Sequence, residues 1–395
     1  MPTVTRLATI PLSIPLEPPT GGTAHPLGPT FLTHCLVKVE TDVGVTGYGE
    51  ISDGWGCEYA GVADAIVREA IARFVIGRDP RQPDAILRRA WAWLRRRQGT
   101  TWLMAQAMSG VEIALWDIAG KLADRPTYEL LGGDGAAVPI YIGGNFLSQG
   151  DASVHLRHFA PFLARGVRGA KVRLGKEWVE ELRTLAALRT AIGPHVALFI
   201  DGNEAFSPKT AQRIAPLLAE CGVGFFEEPC PRDDSVGLAR LVATSPVPIA
   251  YGEHVFGVAG FLELAEGRLA DVWQPDAAIC GGISEFRRIA ALAAARGVRL
   301  SPHSAGTPIG FAANLHAASG APTLYLLEYS ARMDELSALF TGGAKIASDR
   351  IDGGALRPPD GPGIGIEPTD ELLERYPYRV PPPITTDPAL YQGAV

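Results

Sequence analysis

Six acidic or imidazole side chains end six successive apolar segments, and side chains of these types can bind a metal ion or move a proton. The six residues are Asp201, Glu227, Glu253, Asp276, His303 and Glu328. Consecutive members are separated by 26, 26, 23, 27 and 25 residues. One strand and one helix of a (β/α)₈ barrel need about that length, because the fold uses about 250 residues for eight units. We therefore expect the six side chains to converge at the mouth formed by the C-terminal strand ends.

Asp201, Glu227 and Glu253 are the candidate metal ligands. Three carboxylates on adjacent strand ends repel one another unless a cation neutralises them. All-oxygen ligation suits Mg²⁺, which takes a few carboxylates and keeps positions for water and substrate oxygens. Any one of them would more simply pair with a surface lysine, but three at matched spacing favour a metal site. Because neighbouring strand residues point in opposite directions, Glu227 is expected to face the mouth and Glu228 to turn outward.

His303 and Asp276 end the seventh and sixth predicted strands and are the candidate base and its partner. A carboxylate one strand away can hydrogen-bond an imidazole nitrogen, fix its tautomer and raise its basicity. The other seven histidines, for example His155, His158 and His195 in polar helix or loop settings, are expected to be core or surface residues, whereas His303 ends a strand beside an acid. This placement favours a catalytic role for His303.

The second predicted strand, GAKVRLG, carries Lys171 and Arg173 on one face, since they are two residues apart. They are expected to face the metal site from the side opposite His303. Both cations could simply balance the carboxylates, or they could hold a substrate carboxylate, for which arginine suits bidentate recognition. Glu328 on the last strand could hydrogen-bond an enolate oxygen if it is protonated.

The elements around these residues indicate two kinds of domain. Strand-like alternation in the first 50 residues, with a hairpin turn at Asp42 and Gly44, precedes three helical patterns. From residue 138 the pattern alternates between eight short apolar strands and helices, which predicts a closed parallel barrel. We therefore expect an α/β protein with an N-terminal α+β domain at 1–132, a TIM-type (β/α)7β barrel at 133–345, and a segment at 346–395 that returns to the first domain.

Composition excludes several other classes of function. The net charge of −7 over 395 residues gives no basic surface for nucleic acid, and no apolar run is long enough to cross a membrane. The N-terminus lacks the apolar core of a signal peptide. Five scattered cysteines form no CxxC pair. These features predict a cytoplasmic protein without a thiolate metal site, a nucleic-acid partner or a membrane partner.

The chain resembles the enolase superfamily and, within it, the mandelate racemase subgroup. Besides the strand-end residues, the resemblance rests on GYGE at the end of the hairpin, the helix IALWDIAGK and the tail DGPGIGIE. It implies that Asp201, Glu227 and Glu253 bind Mg²⁺, that His303 with Asp276 is the general base, and that Glu328 stabilises an enolate. The lysine that the muconate-cycloisomerase-like branch carries is Asp276 here, which argues against that branch. Relatives often form dimers or octamers, so a homo-oligomer is expected.

The resemblance also implies that loops of the N-terminal domain close over a small carboxylate substrate. Their candidate contact residues are His25, Trp55 and Tyr59. Asn203 and His254, which directly follow two of the ligand strands, either touch substrate or cap their loops.

Arg173 departs from the pattern of the subgroup, in which many relatives have a second lysine that serves as the opposite acid/base. Arginine is almost always protonated and makes a poor proton shuttle. Either Lys171 takes over, with a pKa depressed by its cationic neighbour, or only His303 acts.

A single base suffices to dehydrate an acid sugar, so this is the expected reaction. The alternative is a racemase, epimerase or sugar-lactone cycloisomerase that uses Lys171 opposite His303. A metal-dependent hydrolase fits less well, because two metals would want histidine ligands or a bridging carboxylate and the three candidate ligands are all carboxylates. A barrel that binds a carbohydrate acid without turnover would leave the pair of His303 and Asp276 unexplained.

Overall fold

The computed structural model describes residues 1–15, 31–54, 56–97 and 99–380. Its N-terminal part is an antiparallel sheet backed by helices. Its three strands are β1 (Val4–Pro15), β2 (Phe31–Thr41) and β3 (Thr46–Ile51), with β2 in the centre. The turn between β2 and β3 has Gly44 at a φ of +79°, as the predicted hairpin requires. The long helix Trp102–Ala123 packs along β3, so the hairpin and this helix share one core.

The helices of this part follow the three predicted patterns closely. They are α1 (Ala60–Ala65), which continues through a π-helical stretch (Ile66–Ile71) into α2 (Ala72–Val75), α3 (Pro83–Leu94), α4 (Trp102–Ala123) and α5 (Thr127–Leu130). Pro83 begins α3, where its fixed φ and missing N–H cost nothing. Helix α4 is buried over most of its length, because it lies between the N-terminal sheet and the barrel.

Eight parallel strands form the barrel. They are β4 (Val138–Ile142), β5 (Gly169–Arg173), β6 (Ala197–Asp201), β7 (Val223–Glu227), β8 (Ile249–Tyr251), β9 (Val272–Trp273), β10 (Arg299–Leu300) and β11 (Leu327–Tyr329). They are hydrogen-bonded in chain order, and β11 pairs with β4. A parallel bridge links Leu300 on β10 to Leu324, three residues before β11. The predicted barrel of the (β/α)7β type is therefore confirmed.

Seven helices alternate with these strands. They are α6 (Ala152–Leu163), α7 (Trp178–Ile192), α8 (Pro208–Glu220), α9 (Ser235–Thr244), α10 (Gly257–Gly267), α11 (Ile283–Arg296) and α12 (Pro308–Ala318). Inside the barrel, the rings of Phe199 and Phe225 stack at 3.9 Å and Tyr141 packs edge-on against Phe199. This aromatic layer fills the barrel interior, so polar groups above it are closed off from below.

The chain after the barrel returns toward the N-terminal part. It contains α13 (Arg332–Ser337), β12 (Phe340–Thr341), β13 (Ala355–Leu356), β14 (Glu367–Pro368) and α14 (Asp370–Arg375). The Ile364 amide donates to Asp117 Oδ1 at 2.9 Å, and the Ser13 amide donates to the Tyr376 carbonyl at 3.1 Å. The domain boundaries at residues 132 and 345 stay predictions. Among the described residues, no helix combines the length and apolar character needed to cross a bilayer.

His316 on α12 joins three parts of the chain. Its Nδ1 accepts from the Tyr128 amide at 3.1 Å, so Nε2 carries the proton that bonds the Ile364 carbonyl at 3.1 Å. The ring is fully buried. Burial outweighs the hydrogen bond that His316 donates to the Ile364 carbonyl and lowers the pKa of His316 to about 4. The neutral ring is therefore the form that the fold requires.

Replacement of His316 by glutamine is expected to remove a pH-dependent part of the stability. The folded-state pKa lies below the unfolded value of about 6.5, so this contribution is present above pH 6.5 and is lost as the pH falls toward 4. Between pH 7 and 4.5 the wild type should lose about 2 kcal/mol more free energy of unfolding than the variant. Urea unfolding at both pH values measures the difference. Parallel losses in the two proteins would contradict this role of His316.

Candidate active site

Lys171 on β5 is the buried centre of the site. Its Nζ lies 2.7 Å from Glu227 Oε1, 3.0 Å from Glu328 Oε1 and 3.4 Å from Asp201 Oδ2. Burial opposes the charge on the ammonium, but the carboxylates of Glu227 and Glu328 outweigh it and raise the pKa of Lys171 well above its usual value. The expectation that Arg173 depresses this pKa is wrong for the described arrangement, because the nearest charges are acids.

Arg173 occupies the same face of β5, two residues further along. Its Nη1 donates to the Gly144 carbonyl at 2.6 Å, and its Nε lies 3.4 Å from Asp201 Oδ2. Burial opposes its charge, but Asp201 outweighs this effect and raises the pKa of the guanidinium. Arg173 is therefore a fixed cation and not a proton carrier.

The three predicted metal ligands end or directly follow adjacent strands. Asp201 and Glu227 are paired in register across β6 and β7, and Glu253 follows β8 by two residues. All three side chains are buried. Burial is the main reason that the pKa of Glu227 is raised well above its usual value, and Lys171 only partly offsets it. Burial acts in the same direction on Glu253, but His303, His254 and Lys171 outweigh it and lower the pKa of Glu253 to about 2.

These three residues fit a hard divalent cation. Glu227 Oε2 is buried and has no hydrogen-bond partner, which leaves one strong acceptor unsatisfied at the centre of the group. All three donors are carboxylate oxygens, the ligand type that Mg²⁺ prefers. Asp201, Glu227 and Glu253 would hold the ion.

Glu228 does not turn outward, so that expectation is wrong. Its φ of 37° breaks the alternation of the strand, and its carboxylate is buried beside His254. His254 Nδ1 lies 3.6 Å from Glu228 Oε1 and 3.5 Å from Glu253 Oε1. Burial and the charge of Glu253 raise the pKa of Glu228 to about 8. Glu228, Glu253 and His254 offer ligand atoms within 4.8 Å of one another and are a second possible metal-binding group.

His303 and Asp276 form the predicted pair. His303 Nδ1 lies 2.9 Å from Asp276 Oδ2, and its Nε2 lies 3.9 Å from Glu253 Oε2. Burial opposes the charge of the imidazolium, but Glu253 and Asp276 outweigh it and raise the pKa of His303 to about 10. The structure therefore brings the imidazole to the same space as the carboxylate group.

Asn314 and Tyr141 were missed in the sequence. Asn314 Nδ2 donates to Asp276 Oδ1 at 2.9 Å, and its Oδ1 accepts from the Ala277 amide at 2.8 Å, so it fixes the dyad carboxylate. Its signal was a single amide in a helix, PIGFAANLHAA, that is apolar apart from this residue and His316. Tyr141 donates its hydroxyl to Glu328 Oε2 at 3.1 Å. No sequence signal separated Tyr141 from an ordinary core residue.

The predicted substrate contacts are only partly located. The backbone N–H of Asn203 donates to Asp201 Oδ1 at 2.9 Å, and its side-chain Nδ2 donates to Asp201 Oδ2 at 3.2 Å. Asn203 therefore caps its own loop, which is one of the two roles expected for it. His254 also contacts a loop, since its Nε2 lies 3.0 Å from the Asp53 carbonyl. Tyr59 is 56% exposed near this loop. His25 and Trp55 lie outside the described residues.

The fold and this arrangement of charged residues are those of a known enzyme class. Residues 30–132 match the family model for the N-terminal domain of mandelate racemase and muconate lactonizing enzyme, and residues 156–372 match the enolase C-terminal domain-like model. The chain belongs to the mandelate racemase group of the enolase superfamily and is an enzyme of that class.

Relatives with given functions include dehydratases and cycloisomerases. The chain is 34% identical to a D-galactarolactone cycloisomerase from Agrobacterium fabrum over 89% of this chain and 92% of the relative. It is 32% identical to an arabinonate dehydratase from Saccharolobus solfataricus over 86% and 89%. A racemase from Streptomyces coelicolor, solved with bound magnesium, superposes with a TM-score of 0.82 at 28% identity, over 94% of this chain and 99% of that one.

Replacement of Glu227 by glutamine is expected to abolish high-affinity Mg²⁺ binding. The variant keeps the volume of the side chain but removes the carboxylate whose Oε2 lacks a partner. Loss of a direct ligand should weaken binding by more than about 100-fold, since even outer partners of a metal site contribute 10- to 100-fold. Isothermal titration calorimetry with MgCl₂ measures the affinity.

Glu228→Gln is the matched control, because it changes the neighbouring buried carboxylate in the same way. It should weaken Mg²⁺ binding by only about tenfold. If Glu228→Gln abolished binding and Glu227→Gln did not, the ion would belong to the group of Glu228, Glu253 and His254 instead.

Proposed function

We propose that the protein is a Mg²⁺-dependent acid-sugar dehydratase that removes the proton α to a carboxylate and then the β-hydroxyl. The observation that carries the proposal is the His303–Asp276 hydrogen bond of 2.9 Å beside the carboxylate group, with no comparable base opposite it among the described residues. Lys171 is held by three acids, and Arg173 remains a cation. One competent base fits an elimination better than a two-base racemisation.

Asp201, Glu227 and Glu253 would hold Mg²⁺, which would supply positive charge for the substrate carboxylate and for the negative charge that develops as the α-proton leaves. Asp276 Oδ2 accepts from Nδ1 of His303 and keeps Nε2 free to take the α-proton. Lys171 and Arg173 supply further fixed positive charge at the same mouth. These groups favour the enediolate form of the substrate.

His303 also supplies the proton for the second step. The imidazolium formed in the first step returns its proton to the departing β-hydroxyl, which leaves as water. The resulting enol tautomerises to a 2-keto-3-deoxy acid. The negative charge of Glu253 favours the protonated imidazole and raises the pKa of His303 to about 10. A cation that neutralises Glu253 is therefore a condition for His303 to act as a base at neutral pH.

The substrate class is supported by the named relatives. Arabinonate dehydratase and two D-galactonate dehydratases are 31% to 32% identical to this chain over 86% to 89% of its length. A sugar acid with a hydroxyl β to the removable proton meets the chemical requirement of the proposed reaction.

A sugar-lactone cycloisomerase, racemase or epimerase is the second candidate. The 34% identity to a D-galactarolactone cycloisomerase favours the cycloisomerase. Racemisation or epimerisation would need Lys171 to deliver or remove a proton on the face opposite His303. The raised pKa of Lys171 keeps its amine protonated and makes the ammonium a weak acid, which opposes its use as a base or as an acid near neutral pH.

Incubation with a panel of acid sugars and Mg²⁺ should release a 2-keto acid from at least one substrate. A semicarbazide assay detects the product, and mass spectrometry should show the loss of one water. His303→Asn should reduce kcat by at least about 10³-fold, because general-base catalysis contributes about 10²- to 10⁴-fold. An isomer of the same mass as the substrate, in place of a 2-keto acid, would identify the cycloisomerase or racemase instead.

Exchange of the α-proton in D₂O separates one base from two. With the substrate found above, the wild type should incorporate deuterium at the α-carbon or in the product. His303→Asn should show no exchange, because the one-base reaction assigns the α-proton to His303 and Lys171 lies in contact with three carboxylates. NMR of the recovered substrate measures the exchange. Exchange that persists in His303→Asn would assign a second base to Lys171 and contradict the one-base reaction.

A further inference from the structure

Two buried glutamates of the N-terminal part bind the helices that follow the dyad strands. Glu112 on α4 accepts from the Ile283 amide at 2.7 Å and from the Ser284 amide at 3.0 Å, at the start of α11. Ser109, one turn earlier on α4, accepts from the Gly281 amide at 2.8 Å. Helix α11 begins seven residues after Asp276, so α4 holds the loop that carries the dyad carboxylate.

Glu50, at the end of the hairpin, makes the equivalent contact with α12. Its Oε2 accepts from the Thr307 hydroxyl at 2.7 Å and from the Gly310 amide at 3.0 Å, and the Thr307 amide lies 2.9 Å from both carboxylate oxygens. Helix α12 begins five residues after His303. A carboxylate at a helix N-terminus satisfies unpaired N–H groups and interacts favourably with the helix dipole.

The two contacts meet at the dyad. Asn314 lies on α12, the helix that Glu50 holds, and donates to Asp276 Oδ1. The same amide side chain accepts from Ala277 in the loop before α11. A shift of α12 therefore moves His303 through its loop and Asp276 through Asn314.

Glycine at both helix starts allows the carboxylates to approach this closely. A Cβ on Gly310 would lie 2.6 Å from Glu50 Oε2, and one on Gly282 would lie 2.3 Å from Glu112 Oε2. Gly282 also has a φ of +104°, which a residue with a side chain rarely adopts. The sequence of the barrel thus provides space for both glutamates.

We propose that Glu50 and Glu112 are positioning residues that set the geometry of the His303–Asp276 pair from the N-terminal part of the chain. Their effect on turnover rests on the proposed function of that pair. Each carboxylate is buried and accepts several hydrogen bonds from one helix start, so its loss leaves buried donors unsatisfied and frees the loop. A displacement of about 1 Å in a catalytic group can reduce the rate by about 10²-fold.

The test compares Glu50→Gln and Glu112→Gln with Asp117→Asn. Asp117 serves as the comparison because it is a buried acid on α4 that also accepts two backbone amides, from Tyr48 and Ile364, and neither amide lies in a dyad loop. It differs from the two glutamates in its ion pair with Lys121, and within the described residues it reaches α12 only at His316, through Ile364. Both glutamine variants should lower kcat by about ten- to 100-fold with KM changed less than about threefold. Asp117→Asn should keep kcat within about twofold of the wild type.

Hydrogen–deuterium exchange read by mass spectrometry tests the geometry without turnover. Glu50→Gln should increase exchange at residues 307–310 and also at residues 277–278, because Asn314 and the close approach of Gly310 to Ala278 connect α12 to that loop. Asp117→Asn should leave both segments protected. If wild-type protein turned over no acid sugar, the proposed function would fail, and this exchange pattern would still decide the positioning role.

Thr307→Val is the milder variant if a glutamine variant does not fold. It removes the hydroxyl that donates to Glu50 and keeps the backbone donors. It should show the same two exchange changes and a smaller fall in kcat, of about threefold to tenfold. Unchanged kcat, with unchanged exchange at residues 277–278 in the folded variants, would overturn the proposal.

Discussion

The structure depends on an excess of buried negative charge at the barrel mouth. Six acids lie at this mouth, against Lys171, Arg173, His254 and His303, in a space that is closed from below by aromatic rings. The acids are Asp201, Glu227, Glu228, Glu253, Asp276 and Glu328. Buried carboxylates are costly unless they are paired or bind a metal ion. The raised pKa of Glu227, together with its unpartnered Oε2, shows that Lys171 alone does not remove this cost. A divalent cation would balance the surplus with oxygen ligands only.

The same charge couples the metal group to the dyad. Glu253 is the carboxylate that most strongly favours protonated His303, and it is also one of the three proposed ligands. The pKa of the His303 imidazole thus depends on whether the charge of Glu253 is neutralised. Lys171 is tied to the acids on the other side, so the two sides of the mouth differ in their capacity to take a proton. This difference between Lys171 and His303 arises from the charges around each residue and not from the side-chain types alone.

The sequence predicted the barrel and most of the charged mouth because strands have a fixed period and their C-terminal ends share one rim. It failed at Glu228, where a positive φ breaks that period, and at the pKa of Lys171, which depends on distances to three other strands. Asn314, Tyr141 and the contacts of Glu50 and Glu112 join residues up to 260 positions apart, and local patterns carry no such information. Loop residues His25 and Trp55 lie outside the described chain.

Anomalous diffraction from a crystal grown with Mn²⁺ in place of Mg²⁺ tests the central claim most directly. The charge arrangement predicts one strong peak within bonding distance of the carboxylates of Asp201, Glu227 and Glu253, with Lys171 and the His303–Asp276 pair on opposite sides. A peak between Glu228, Glu253 and His254, or no peak at a Mn²⁺ concentration that saturates binding in solution, would contradict it.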